Sequence, residues 1–384
     1  MGKSDAEVVV IGQGVIGAIA AWRAAEAGLR VTCLDPEPAG GATFAAAGMI
    51  APVTEVEFGE RELLPINLAS AAVWPEFAAA LEDCCGRTIG LARCGTLAVA
   101  FDADDACQLA RLRDLQRAWG LEVVELTAAE ARDREPLLGP RVAAASWAPA
   151  DHQVDPRQLA RALGAALALR GVMTVRSPAV TLLTDPSGTV VGAVDAAGTE
   201  HRGDLVVLAA GQDSPALLDR FDDVAAPVRP VKGQILRLDA TDVSWLRGAR
   251  VVRGLVQQRP VYVVGRANGE MIVGATSEEL PDDRRSTVGG VFGLLRDARA
   301  VLPGLDEAPL VECTARARPA TPDNLPIFGP AAPQGLILAT GHYRHGVLLA
   351  ALTARGFDDL FAGRPLDPVW GPTDPQRFDV RTRT

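Results

Sequence analysis

Lysine is almost missing from this chain. Among 384 residues only Lys3 and Lys232 carry an ammonium, so arginine supplies nearly all of the positive charge. A mechanism built on a lysine has just two candidates. Positive charge as a whole is outweighed, with 38 Lys and Arg against 48 Asp and Glu and a formal net charge of -10. Non-specific nucleic-acid binding needs a basic surface, and nucleic acid is therefore excluded as a partner. Cysteine is scarce too. Six thiols without a CxxC do not make a disulfide framework, and they read as inert thiols in a reducing compartment. A signal peptide is lacking, because Met1 to Glu7 is polar and runs straight into an apolar strand. Gly2 hints at myristoylation, but Ala6 stands where Ser or Thr is required. No uninterrupted apolar stretch is long enough to cross a bilayer. The expectation is a cytoplasmic protein with no membrane span.

What is present is an ordinary globular composition, 48% hydrophobic and 22% charged, at a length that suggests two or three domains. Val8 to Ile11 is a β-branched run suited to a strand buried on both faces. Gly12-Gln13-Gly14-Val15-Ile16-Gly17 follows, then an Ala-rich helix over Ala18 to Ala27 that Gly28 stops. Arg30 to Leu34 is a second strand and ends at Asp35. Residues 62 to 82 and 104 to 118 read as helices, Thr127 to Glu130 as a capping box, and Asp155-Pro156 as the start of another helix. Short strands follow at Val172 to Val175, Val180 to Leu183, Val190 to Val194 and Leu205 to Leu208. The middle of the chain changes character. Val231 to Leu238, Arg250 to Val256, Val261 to Val264 and Met271 to Val273 predict an antiparallel sheet, followed by a helix at 286 to 300. Leu336 to Thr340 is again a buried strand, Gly341 to His345 a loop, and Gly346 to Phe361 a helix. The tail after Leu366 is Pro-rich and reads as irregular. The order suggests an α/β nucleotide-binding domain in separate pieces, with a mixed-sheet domain inserted between them.

The β-GxGxxG-α unit with a downstream acid carries the first chemistry. Gly12 permits the tight turn, Gly14 admits a pyrophosphate, and Gly17 lets helix and strand approach. The helix N-terminus favours phosphate, and Asp35 stands where a carboxylate binds ribose hydroxyls. This unit binds a dinucleotide but does not by itself separate FAD from NAD. Gly40 to Met49 is a small-residue segment that lets backbone approach a large flat ligand. Taken alone it reads equally as a surface loop.

Here the chain resembles a known family. Gly12 to Gly17 with Asp35, then Ala42 to Met49, look like the FAD site of D-amino-acid-oxidase-type flavoproteins. Pro230 to Gln234, Tyr262 with Gly274-Ala275-Thr276, Arg316 to Asp323 and Gly341 to Gly346 keep the same order. Together, from about residue 6 to about residue 365, they are most similar to the glycine oxidases linked to the thiazole branch of thiamine synthesis. The resemblance implies a Rossmann-like FAD-binding domain with an inserted, mainly antiparallel substrate domain. Residues 1–86, 146–222 and 316–365 would form the first, 87–145 and 223–315 the second, and 366–384 the tail. It implies non-covalent FAD held by Gly12, Gly14, Val15, Ile16, Gly17, Asp35, Thr43, Ala46, Ala47, Gly48, Met49, Val180, Ala210, Gly211, His342, Arg344, His345 and Gly346. The implied reaction takes a hydride from the α-carbon of glycine, sarcosine or a small D-amino acid. The imine goes to an oxo acid and ammonia or to a thiazole-synthesis partner, and oxygen becomes hydrogen peroxide. Relatives form tetramers, so a homo-oligomer is expected.

Arg318 is the leading site residue. A guanidinium matches a carboxylate with two parallel hydrogen bonds, and Pro319 biases Arg318 toward extended geometry. By resemblance Arg318 is the carboxylate clamp, Tyr262 donates a second hydrogen bond, and Arg344 lies near the substrate or the flavin carbonyls. Arg316, two residues away, would share the face of Arg318 and compete for its role. In covalent-flavin relatives a cysteine stands roughly at Arg316, and Cys313 is out of register with it. His342 and His345 flank Arg344 but supply too few ligands for a metal. Asp35 is shorter than the usual Glu, and Pro260 and Ser277 replace other pocket residues, which leaves pocket size open. The alternatives are a dehydrogenase of D-amino acids or N-methylated glycines that feeds a quinone or carrier, and a non-catalytic FAD-binding subunit.

Overall fold

The computed structural model describes residues 6–221, 224–248, 250–280 and 284–378. Gly2, Lys3 and the last six positions of the tail lie outside the described residues. The β-branched run became a central strand, Glu7–Ile11, of a six-stranded sheet. Its neighbours in order are Ile327–Pro330, Leu336–Thr340 and Leu205–Leu208 on one side, and Arg30–Leu34 and Met173–Val175 on the other. All adjacent pairs are parallel except the edge strand Ile327–Pro330. One face packs against helices Val15–Glu26, Leu63–Cys85, Pro156–Leu169 and Ala350–Phe361. The other is covered by a three-stranded meander, Ala179–Thr184, Val190–Asp195 and Glu200–Arg202, through Leu182, Val190 and Ala193. With apolar cover on both faces, a continuous Val/Ile/Leu run is what such strands need.

Helix Leu63–Cys85 bears on the expectation that no segment spans a membrane. It has 23 residues, contains an 18-residue window with a mean hydropathy of 1.2, and is long and apolar enough, by length and composition, to cross a membrane. Glu76 interrupts the run without lowering its mean far. The helix is a core element nonetheless. Ile66, Trp74 and Leu81 are buried, and Ser70 Oγ and Trp74 Nε1 both donate to the Leu348 carbonyl, at 2.6 and 2.8 Å.

The second sheet has eight strands, in the order Leu310–Ala320, Arg229–Asp239, Glu270–Gly274, Arg259–Gly265, Arg250–Val256, Thr96–Ala100, Ala144–Ala148 and Val124–Leu126. It is antiparallel except where Thr96–Ala100 runs parallel to Arg250–Val256. The last three strands were not legible in the sequence, because Thr96–Ala100 and Ala144–Ala148 are short and alanine-rich and Val124–Leu126 has only three residues. Strand Leu310–Ala320 pairs with Arg229–Asp239 along its length, so a boundary at residue 316 cuts a continuous ladder. A boundary at 146 likewise falls inside Ala144–Ala148.

Local signals held where side chains satisfy backbone. Thr127 and Glu130 form the reciprocal capping box, and the Asp155 carboxylate accepts from the amides of Arg157 and Gln158 ahead of a Pro156 start. The helix expected from Gly346 instead begins at Ala350. A tighter bond from His345 N to His342 O first makes a 3-10 turn over Tyr343–His345. Nor is the start of the tail irregular. Pro368–Thr373 is a 3-10 helix that buries Trp370, whose ring centroid lies 4.5 Å from that of Phe328. Trp370→Ala should therefore lower unfolding free energy by about 3 kcal/mol or more, measured by urea denaturation.

Candidate active site

A cavity of about 870 Å³ is lined from both sheets. Its floor is the turn after Glu7–Ile11. Gly12 has φ +90°, and a Cβ there would stand 2.5 Å from the Ala209 carbonyl oxygen. A Cβ on Gly17 would meet the Gly12 carbonyl oxygen at 1.9 Å. Gly14 is different, since its nearest neighbour is Thr43 Oγ1 at 3.4 Å and the space above it is open to the cavity. Val15 N, at the helix start, donates to the same Thr43 hydroxyl at 2.9 Å. At one end of the cavity the Asp35 carboxylate accepts from Gln13 N at 2.5 Å and Glu37 N at 2.7 Å. Gly48 is held tightly at φ +83°, with no room for a Cβ beside the Val154 carbonyl oxygen.

A dinucleotide fits this arrangement. The helix N-terminus faces the cavity, an acid stands at the end of the second strand, and the open Gly14 backbone lies between them. His342 adds an independent sign. It lines the cavity, is buried, and its Nε2 has no partner. Of the residues expected around FAD, Gly12, Gly14, Val15, Ile16, Asp35, Thr43, Ala46, Ala47, Gly48, Met49, Val180, Ala210, Gly211, His342, Arg344 and Gly346 line the cavity. Gly17 and His345 do not. Gly17 packs helix against turn, and His345 is fully buried behind the wall.

The opposite wall is one face of the eight-stranded sheet. Ladder partners share a face, so the register runs from Arg316 through Gly233 and Ile235 to Gly274, Tyr262 and Arg253. Arg318 lies on the same face as Arg316. The two glycines are where the large side chains lie down. A Cβ on Gly233 would be 2.4 Å from both Arg318 Nη atoms, and one on Gly274 would be 2.3 Å from the Tyr262 hydroxyl. The guanidinium and the phenol thus recline from opposite sides onto adjacent strands. Arg318 Nη1 donates to the Thr276 carbonyl at 3.2 Å. Tyr262 is held neutral, since burial pushes its phenol up, against the smaller opposing pull of Arg318. Arg316 is committed elsewhere, with Nε donating to Gly40 O at 2.7 Å and its guanidinium over the Phe44 ring at 5.3 Å. It fastens the 40–45 segment.

Three supporting residues were missed in the sequence. The Glu278 carboxylate accepts from Gln234 Nε2 at 2.7 Å and from Thr276 Oγ1 at 2.5 Å. Gln234 N donates to Thr276 Oγ1 at 2.9 Å, and Thr287 N donates to Gln234 Oε1 at 2.8 Å. This part-buried network lies behind the loop whose Thr276 carbonyl orients Arg318. The sequence signal was Gln234 beside Gly233, a polar side chain in an apolar strand.

Beyond Tyr262 the wall is ionic. Arg253 Nη1 donates to Glu55 at 2.8 Å and lies 3.7 Å from Met49 Sδ. Arg344 pairs with Glu60 and, at 3.4 Å, with Glu57, so its charge is shared with carboxylates at the cavity edge. Burial pushes the Glu57 carboxyl above the usual range. The buried Asp151 carboxylate anchors this acidic segment through Val53 N and Thr54 N, both at 2.9 Å. Glu55, Glu57, Glu60 and Glu62 in succession were the visible signal in the sequence. His345 Nδ1 is 3.6 Å from Glu55, too long for a hydrogen bond, and burial followed by Arg344 and Arg253 pushes the imidazole well below its ordinary 6.5.

A family model described as DAO, FAD dependent oxidoreductase, matches residues 7–360. The chain belongs to this family and is an FAD-dependent oxidoreductase. It is 34% identical over 384 residues to the bifunctional protein ThiO/ThiG of Trichormus variabilis, covering 98% of this chain and 56% of that protein. The chain thus spans about half the length of such curated relatives. It is 33% identical to the glycine oxidase of Geobacillus kaustophilus, covering 92% of each. The structure is similar to a crystal structure of glycine oxidase from that organism, with a TM-score of 0.86, 30% identity and 97% and 99% of the two chains covered. It is also similar to the iminodiacetate oxidase of Chelativorans, at TM-score 0.83 and 25% identity, over 96% and 98% of the chains.

Two expectations follow. Gln234→Leu should raise KM for the substrate about tenfold with kcat changed less than twofold and FAD content unchanged, because only the aim of Arg318 is loosened. His345 has a depressed folded-state value, so its contribution to stability is complete above pH 6.5 and is lost as pH falls below it. In urea unfolding from pH 7.5 to 5, His345→Gln should lose less stability than the wild type, by up to about 1.4 kcal/mol per pH unit below 6.

Proposed function

We propose that the protein oxidises glycine or a related small amine, such as sarcosine or a small D-amino acid, to the imine. Water then releases glyoxylate and ammonia in the glycine case. The observation that carries this reading is the convergence of Arg318 and Tyr262 over Gly233 and Gly274, on the wall facing the dinucleotide cradle. A guanidinium and a neutral phenol together bind one carboxylate. The paired Arg253–Glu55 and Arg344–Glu60 groups add little net charge beside them. Non-covalent FAD, when bound, supplies the two-electron acceptor and hands the electrons to oxygen as hydrogen peroxide. The chain's own task is to fix the carboxylate so that the α-carbon faces the cofactor. The likeness to ThiO/ThiG proteins supports a product that feeds the thiazole branch of thiamine synthesis, through a thiazole-forming partner. Six free thiols support a cytoplasmic setting.

Glycine added without oxygen should bleach the yellow holoprotein, and air should restore the colour with formation of peroxide. Bleaching without recovery in air indicates the dehydrogenase reading, and no response to any small amino acid sinks both. Arg318→Ala should raise KM for glycine about 100-fold while FAD stays bound, the cost of losing charge-assisted bonds to a carboxylate. Unchanged turnover would refute the clamp.

A further inference from the structure

Gly48 lines the cavity, but the side chain that orients its backbone stands outside. Arg266 is buried and does not line the cavity. Its Nη2 donates to the Ala47 carbonyl at 2.6 Å. Its Nη1 donates to the Val154 carbonyl at 2.9 Å and to Gln153 Oε1 at 2.8 Å. Val154 N in turn donates to the Gly48 carbonyl at 2.8 Å. A trans peptide is planar, so its carbonyl and its N–H point in opposite directions. With the Ala47 oxygen turned to Arg266, the Gly48 N–H is turned the other way, toward the cavity that Ala47 and Gly48 line. Among the described residues no acceptor is hydrogen-bonded to it. The next residue places this donor along the cavity. Met49 Sδ lies 3.7 Å from Arg253 Nη1, and Arg253 is the ladder partner of Tyr262. Gly48 N therefore belongs to the substrate end, beyond the ribose position at Asp35 and the phosphate position at Gly14. The ring of the cofactor that accepts electrons has to lie at that end.

We propose that Arg266 is a positioning residue for the flavin: through the Ala47 carbonyl it aims the Gly48 N–H at the isoalloxazine ring of bound FAD and strengthens that donor. The strengthening has a simple origin. Hydrogen bonds in a chain polarise one another, so a carbonyl that accepts from a cation makes the N–H of the same peptide a better donor. A guanidinium keeps its proton, so the effect is constant with pH. Reduction adds electron density to the ring, and a preorganised donor aimed at it stabilises the reduced form more than the oxidised one. Arg266 thus raises the reduction potential of the flavin without touching it.

The test reads the two-electron midpoint potential of the holoenzyme by dye equilibration. No amine is present, so the outcome is independent of which substrate the enzyme takes. Arg266→Met should shift the equilibrium about tenfold toward oxidised flavin, a potential lower by about 30 mV. Glu270 keeps Arg237 as a partner at 2.6 Å in that variant. Gln153→Met is the milder variant should Arg266→Met fail to fold, since it removes one acceptor that braces Nη1 and keeps the cation. It should shift the equilibrium about threefold, or about 15 mV. Arg157→Met is the control for a merely structural role. It loosens the same segment at the Phe44 carbonyl and ring and leaves the Ala47–Gly48 peptide alone. It should lower the melting temperature with the potential unchanged. An unchanged potential in either Arg266→Met or Gln153→Met overturns the proposal, as does a drop in Arg157→Met equal to that in Arg266→Met. A crystal structure of the holoenzyme with Gly48 N beyond about 3.5 Å from every ring nitrogen and oxygen overturns it as well.

Discussion

The site depends on two missing Cβ atoms. Gly233 and Gly274 sit on adjacent strands of the large sheet, and a methyl group at either would stand within 2.4 Å of the side chain now lying across it. A β-sheet normally sends its side chains outward from the pleat. Here Arg318 and Tyr262 fold down instead, and their polar ends meet over backbone rather than over other side chains. The sheet supplies rigidity that a loop would not, and the glycines supply the depth. Function then requires that both side chains be held at that depth, which explains why polar groups are buried behind them. Glu278, Thr276 and Gln234 hydrogen-bond one another, Thr287 joins them, and the Thr276 carbonyl is aimed at Arg318.

The second constraint is how the two sheets come together. The turn after the first strand and the strand that carries Arg318 are about 300 residues apart in sequence, yet Arg316 hydrogen-bonds the Gly40 carbonyl and stacks on Phe44. Arg157 makes the same junction from the other side, stacked on Phe44 at 3.9 Å and paired with Glu312 at 2.6 Å. Two arginines on one phenyl ring tie the dinucleotide floor to the substrate wall. Arg316 and Arg318 look equivalent in a sequence two residues apart. The structure separates them, with Arg316 fastened to Gly40 and Phe44 and Arg318 lying over Gly233 at the cavity.

Much of the cofactor side was legible because its signals are local. Strand, turn, helix and terminal acid follow one another within 30 residues, and Gly12 and Gly17 each answer to a backbone contact nearby. The substrate side was legible only in part. Arg318 stood out because guanidinium chemistry and a following proline point the same way. The residues that aim it were hidden, since Gln234, Thr276 and Glu278 meet only through strand pairing and a loop. The three short strands at Thr96–Ala100, Val124–Leu126 and Ala144–Ala148 were hidden for a different reason. Two of them are rich in alanine, which carries almost no β signal, Val124–Leu126 is only three residues long, and their pairing is decided by burial in the completed sheet.

The lysine shortage acquires a meaning at the cavity wall. The cations there are Arg253, Arg284, Arg316, Arg318 and Arg344, and a guanidinium does not give up its proton in a protein. Burial holds His342 down to about 3 and His345 well below its ordinary value, while it pushes the Tyr262 phenol upward. The positive charge that greets a carboxylate is therefore the same in mildly acid and in alkaline water. With the wall acting as a fixed electrostatic background, the proton that decides whether an amine can be oxidised is left to the amine itself.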